Sequence, residues 1–159
     1  MTLALATPVV GGLQTGMTTP SWTVVADTAN TAVEKQWQVT ALASGSAAGA
    51  RFHSISDPAT ITFMRPSVLK TLSGLISGLT GLYGRVPSNM WTRILLVRKG
   101  VNIAANNVPR IMTIRVECDV PAGADSYDSP NVRMAASLAV GVLNQLSAGF
   151  GDTLVSGSI

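Results

Sequence analysis

The segment that most constrains this chain is its C-terminal helix-forming stretch, which carries too little charge to face water on either side. From Val132 onward, Ala135, Ala136, Leu138, Ala139, Val142, Leu143 and Leu146 recur at the i, i+3, i+4, i+7 spacing of one buried stripe. The opposite side offers no contrast: Arg133 is the only charged residue between Asp128 and Asp152, and Met134, Ser137, Val140 and Gly141 complete the circumference. A helix this apolar all round is one that other protein covers on both sides. Ser129-Pro130 marks its start, as an N-cap followed by a proline at the first helical position, where the missing N–H costs no hydrogen bond.

The strand before it has two unlike faces. Ile111, Thr113, Arg115 and Glu117 alternate with Met112, Ile114, Val116 and Cys118, so period two sets Thr, Arg and Glu apart from an apolar row. Pro121, Gly123 and Asp125 end that strand. Only 12% of the 159 residues are charged while 47% are hydrophobic, whereas an ordinary soluble domain has about 25% charge. Either other copies of the chain bury much of the surface, or the protein is secreted and covered with uncharged polar groups. The net charge of +3 permits an anionic partner without requiring one. A single cysteine, Cys118, excludes an internal disulfide and a Cys-rich metal site, and its phase points it inward as a plain buried thiol.

Taken in order, residues 3–10 and 21–26 read as an N-terminal hairpin joined through Gly11-Gly12 and Thr15-Gly16. Residues 35–43 alternate Trp37, Val39 and Ala41 against Gln36, Gln38 and Thr40, a strand whose polar face receives a ligand or water. A small-residue turn over 44–49 leads to strand-like runs at 51–55 and 60–68, separated by Asp57-Pro58, with Pro66 at a strand end. In 72–89, Leu72, Leu75, Ile76, Leu79 and Leu82 recur at helical spacing. Gly74, Gly78, Gly81 and Gly84 interrupt them, each costing a helix about 1 kcal/mol, so the segment is a short imperfect helix or an ordered apolar loop. Residues 90–98 return to strand, and 99–109, with Gly100 and three asparagines, form a loop.

The expected architecture is one α+β domain: an N-terminal hairpin over 1–26, an antiparallel meander sheet over 35–120 with an insertion at 72–89, and two C-terminal helices over 129–157. One helix of this length covers only part of such a sheet. A symmetric dimer, with each chain's helices over the other's strands, removes the difficulty. The opening Met1–Ala6 lacks a basic leader and makes a poor signal peptide. No apolar tract reaches the length of a membrane span, so no membrane partner and a soluble intracellular product are expected.

Enzymatic chemistry has little support. His53 is the only histidine, and a triad with Ser54 or Ser56 and Asp57 would place neighbours on alternating strand faces. Gly45-Ser46-Ala47-Ala48-Gly49 lacks the lysine and the following helix of a phosphate loop, and no metal-ligand spacing occurs. No cofactor is expected.

The order of these elements, ending in a long strand, the segment Asn131 to Leu146 and then Phe150-Gly151-Asp152-Thr153-Leu154-Val155-Ser156-Gly157, resembles the coat proteins of the single-stranded RNA bacteriophages, the leviviruses. The resemblance is carried by the C-terminal part; the N-terminal part matches in the order of elements. It implies an interlocked homodimer, assembly in the bacterial host cytoplasm into an icosahedral virion shell, and a sheet facing packaged single-stranded genomic RNA. It also implies, for many members, repression of translation through an RNA hairpin. By phase, Thr113, Arg115 and Glu117 match the RNA-facing positions, with Arg93 and Arg65 as further candidates. An arginine fork suits phosphate, although an ordinary solvated strand face has the same composition. The family's adenine-binding triplets of Thr, Ser and Lys have no counterpart located here, which leaves nonspecific genome contact as the expectation. Lys99, Asn102, Asn106 and Asn107 fall where the family's loop meets its copies, and a plain hairpin loop reads the same way. Leu138, Val142, Leu143 and Leu146 are the expected dimer-helix contacts. The alternative is a secreted or pilus-type structural subunit with no RNA role, favoured by the abundance of Thr, Ser, Ala and Gly.

Overall fold

The computed structural model describes residues 3–70 and 88–159, with the side chains of the fifth strand from Ile94 onward. Its strands are β1 (Val9–Val10), β2 (Met17–Asp27), β3 (Glu34–Ala47), β4 (Ala59–Met64), β5 (Ser88–Val101) and β6 (Arg110–Pro121). They form one antiparallel meander in the order β1-β2-β3-β4-β5-β6, followed by α1 (Ala124–Tyr127), α2 (Ser129–Gln145) and α3 (Ser147–Ser156).

The register sorts the side chains by chemistry. Trp37, Ile61, Val97 and Ile114 are cross-strand partners on one face; Gln36, Thr62, Leu96 and Arg115 are partners on the other. Alternation then places Val39, Phe63, Leu95 and Val116 with the first set, and the Trp37 and Phe63 rings meet edge to face at 6.1 Å. Cys118 falls on this apolar face by the same alternation and is half-buried.

Several boundaries differ from the sequence expectation. The 44–49 turn is displaced: β3 continues to Ala47 because β2 begins at Met17 and pairs with it, Met17 opposite Ala47. Gly45 makes this possible. Its φ is +80°, and a Cβ there would collide with the Thr18 and Thr19 carbonyls where the ladder is irregular. Residues 51–55 are irregular rather than a strand, because Arg51 and His53 engage local partners: Arg51 pairs with Asp57, and the Ala59 N–H donates to His53 Nδ1 at 3.2 Å. Lys99 lies in β5, not in the following loop, which spans 102–109. Ser88 and Asn89 belong to β5, while the rest of the 72–89 segment lies outside the described residues. Asp128, rather than Ser129, occupies the cap position of α2, and its carboxylate accepts from Asn131 Nδ2 at 2.8 Å.

A charge cluster fastens one end of the sheet. Asp57, only 7% exposed, receives Arg51 Nε on one oxygen and Lys99 Nζ, at 2.5 Å, on the other. Arg51 Nη2 also donates to the Gly100 carbonyl and to Asn102 Oδ1, both at 3.2 Å, so one guanidinium joins the β3–β4 connection to the start of the β5–β6 loop. Gly100 has no Cβ because the Asp57 carboxylate occupies that space.

The helices are the unusual part. No residue of α2 is buried: Met134 is 64% exposed and Leu143, on the opposite side of the helix, is 49% exposed. Its substantial contacts are with α1 and α3 rather than with the sheet, so the expected helical layer over a sheet face is absent within one chain. Among the described residues no single helix is long and apolar enough to cross a membrane.

The Lys99 hydrogen bond, assisted by Arg51, holds the Asp57 carboxyl below the usual carboxylate range against the opposing effect of burial. The stabilisation it gives is complete above the unfolded value near pH 4 and is lost as pH falls through the lower folded value. Asp57→Asn should therefore destabilise the fold at pH 7 by about 3 kcal/mol and flatten the acid limb of stability, read by urea unfolding from pH 2 to 7.

Candidate nucleic-acid interface

The polar face of the sheet is built by period-two alternation in five successive strands. Asp27 on β2 pairs with Gln36 on β3, Gln36 with Thr62 on β4, Thr62 with Leu96 on β5, and Leu96 with Arg115 on β6. One step along, Val25, Gln38, Thr60, Arg98 and Thr113 form a parallel row. Short threonines on β4 thus lie between long side chains on either flank, which explains how Thr60 and Thr62 are buried on a face with no second layer of secondary structure.

A hydrogen-bond network orders the middle of this face. Gln36 Nε2 donates to Asp27 Oδ2 at 2.7 Å, while Gln36 Oε1 accepts from Thr62 Oγ1 at 3.2 Å and from Arg98 Nη2 at 3.1 Å. One amide therefore separates Asp27 from Arg98 and keeps the guanidinium from being neutralised by the carboxylate. The Gln36 donor and the Thr28 backbone N–H lower the Asp27 pKa below its ordinary value. Among the described residues, Arg98 Nε and Thr60 Oγ1 are buried without a hydrogen-bond partner. Among the described residues, neither Arg98 nor Arg115 pairs with a carboxylate; both ion pairs belong to Asp57.

Thr113, Arg115 and Glu117 stand on this face, with Arg115 and Glu117 exposed and Thr113 half-buried. Arg65 does not: it follows the end of β4, is exposed, and donates to the Pro66 carbonyl at 3.2 Å. Arg93 is in β5, but its side chain lies outside the described residues. Gln36, Gln38, Thr60, Thr62 and Arg98 complete the face. The glutamines were legible as a polar row, but Arg98 was not, because the β5–β6 ladder is irregular between Trp91 and Leu95 and phase cannot be carried across it. The usable signal was the hairpin itself: pairing Arg98 with Thr113 puts both on one side.

The expected loop contacts are dispersed. Lys99 belongs to the Asp57 cluster, Asn102 is held by Arg51, Asn106 adopts a positive φ of 62°, and Asn107 lines a shallow hollow with Ile103, Val108, Pro109 and Arg110. Ile103 and Val108 are exposed. Leu138, Val142, Leu143 and Leu146 are all exposed on α2 and the residue that ends it.

No protein-family model matches the chain, and neither does any curated protein. Among solved structures, the chain is similar to one described as the virus-like particle of bacteriophage ESE020. The identity is 47% and the TM-score 0.91, over 99% of this chain and 100% of that one.

Replacing Gln36 by Leu should break the link between Asp27 and Arg98, destabilise the fold by about 1–2 kcal/mol, and return the Asp27 pKa toward its ordinary value, followed by NMR titration.

Proposed function

Because the chain belongs to the bacteriophage coat-protein family, we propose that it dimerises, assembles into an icosahedral shell and packages single-stranded RNA against the polar face of its sheet. The near-full-length likeness to a chain of a virus-like particle carries the shell role. It leaves the secreted or pilus-type alternative without an observation of its own.

Dimerisation is supported by what one chain leaves bare. A sheet and a helix each need an apolar face covered, and here α2 and the sheet do not supply this to one another. The outer edge of β6 is unpaired among the described residues, and a second copy meets both needs. RNA contact is supported by Arg98 and Arg115 standing free of carboxylates beside Thr113 and the glutamines, a set suited to phosphate oxygens and to base edges. The exposed apolar residues of the β5–β6 loop, Ile103 and Val108, suit contact between dimers around the shell. Assembly takes place in the host cytoplasm, and translational repression follows where the same face grips an RNA hairpin. Glu117, an acid on this face, stands clear of phosphate and limits how far nonspecific binding extends along β6.

Expressed in bacteria, the chain should elute as megadalton particles with the absorbance ratio of packaged RNA; a clean monomer would sink this reading. Arg115→Ala should lower RNA content while the dimer persists, and reduce the salt dependence of RNA binding by about one phosphate contact. Leu143→Asp should abolish soluble particles, because it places a charge in the surface that the second copy covers.

A further inference from the structure

His53 stands where a rung of the sheet is due. β3 and β4 pair from Glu34 with Met64 to Gln38 with Thr60, and just outside that ladder the Arg65 N–H donates to the Val33 carbonyl at 3.1 Å. Antiparallel hydrogen bonds fall on alternate pairs. Counted from Val33 with Arg65, the bonded positions on β3 are Lys35, Trp37 and Val39, so the next bond at the other end would run from the Ala59 N–H to the Val39 carbonyl. The ladder stops before it. Instead the Val39 carbonyl accepts from the His53 N–H at 2.9 Å, and the Ala59 N–H donates to His53 Nδ1 at 3.2 Å. One histidine, through its backbone and its ring, wedges the two strands apart and satisfies both groups of the open rung.

The wedge works only with a neutral ring. As an acceptor Nδ1 carries no proton, so the single ring proton sits on Nε2, and a second proton turns Nδ1 into a donor aimed at another donor. The charged groups of the surrounding elements are Asp27 on β2, Arg51 and Asp57 in the ring's own connection, and Arg98 and Lys99 on β5; β3 carries Glu34 and Lys35 at its far end, and β4 carries none. Neither nearby carboxylate is idle. Asp57 receives Arg51 and Lys99, while Asp27, close enough for the ring's charge to act on it, accepts from the Gln36 amide and the Thr28 N–H.

Moving the wedge moves the base of the β5–β6 loop. The Ser54 N–H donates to the Asp57 carbonyl at 3.0 Å and the Asp57 N–H to Ser54 Oγ at 3.1 Å, so His53 and Asp57 belong to one tight turn. That turn is fastened to β5 by the Gly100 N–H, which donates to the Pro58 carbonyl at 2.8 Å, and by Arg51, which joins Asp57 to the Gly100 carbonyl and Asn102. Residues 54–56 are exposed, which leaves the turn room to swing.

We propose that His53 is a proton-operated wedge: neutral, it seats the 51–58 connection and, through Arg51, the base of the 102–109 loop; protonated, it withdraws, the Ala59 N–H closes onto the Val39 carbonyl, and the loop base is released. Imidazoles as a class change charge between pH 5 and 8, whereas the Asp57 carboxyl is held below the ordinary carboxylate range, first by the Lys99 hydrogen bond, so mild acid reaches the wedge before the ion cluster. In a particle, a consequence that rests on the shell reading above, mild acid then loosens whatever contacts this loop makes with other copies.

The test is hydrogen exchange read amide by amide on the full chain from pH 8 to pH 5.5, corrected for intrinsic rates, in the wild type, His53→Gln and His53→Lys. In the wild type, protection of the Asp57 and Gly100 amides should fall about tenfold at the acid end, while Ala59, which changes acceptor rather than losing one, stays protected. Glutamine can accept from the Ala59 N–H without titrating, so H53Q should hold the Asp57 and Gly100 amides protected throughout; H53K, charged at every pH used, should leave them open throughout. A His53→Gln chain that keeps the wild-type pH response would overturn the proposal, because another group would then be the sensor. A wild-type imidazole nitrogen spectrum at pH 8 with the proton on Nδ1 would overturn it as well, and that measurement needs no variant to fold. If the wild type forms no particles, the shell reading fails by itself, and the exchange pattern still decides for or against the wedge.

Discussion

One constraint governs this protein: it has apolar surface for two layers but closes only one of them within a single chain. The sheet sorts Trp37, Ile61, Phe63, Val97 and Ile114 to one face, and α2 is apolar around its circumference, yet the two do not bury one another. Folding ordinarily brings such elements together because removing apolar area from water is the main favourable contribution. Here the buried apolar side chains among the described residues are few: Pro20, Val24, Trp37, Ala59, Leu96 and Ala122. In the dimer proposed above, association supplies the missing burial, which would couple stability to protein concentration in the way usual for obligate dimers.

That same shortage explains the division of labour across the sheet. In the dimer proposed above the apolar face is committed to another copy; the opposite face is polar, and it is ordered by hydrogen bonds rather than by packing. Gln36 holds Asp27, Thr62 and Arg98 in fixed relation, which would lower the entropy lost in the RNA contact proposed above. The Asp57 cluster plays a comparable part at the loop end, setting the base of 102–109 through Arg51 while Ile103 and Val108 stay exposed.

Much of this was legible in order of elements and in phase. The long helix was found from its stripe, and the two faces of β6 from simple alternation, because both depend on periods that a sequence states directly. What was misread depended on partners distant in the chain. The 44–49 segment looked like a turn until Met17 paired with Ala47; residues 51–55 looked like a strand until Arg51 paired with Asp57; and Arg98 was passed over because the irregular ladder before Leu95 breaks the phase of β5. Lys99, read as a loop residue, is in a strand because its ammonium has a buried carboxylate to meet.

By itself, the sequence determined that the C-terminal segment would be a helix apolar on both sides and that the last strand would have one polar and one apolar side, since both follow from the identity and spacing of neighbouring residues. The tertiary structure alone decided which arginines share a surface, which carboxylate is buried, and that α3 fastens to the loop between β1 and β2. Those outcomes are set by strand register and by contacts between the two ends of the chain, such as Gln14 with Ser147, which no local periodicity records.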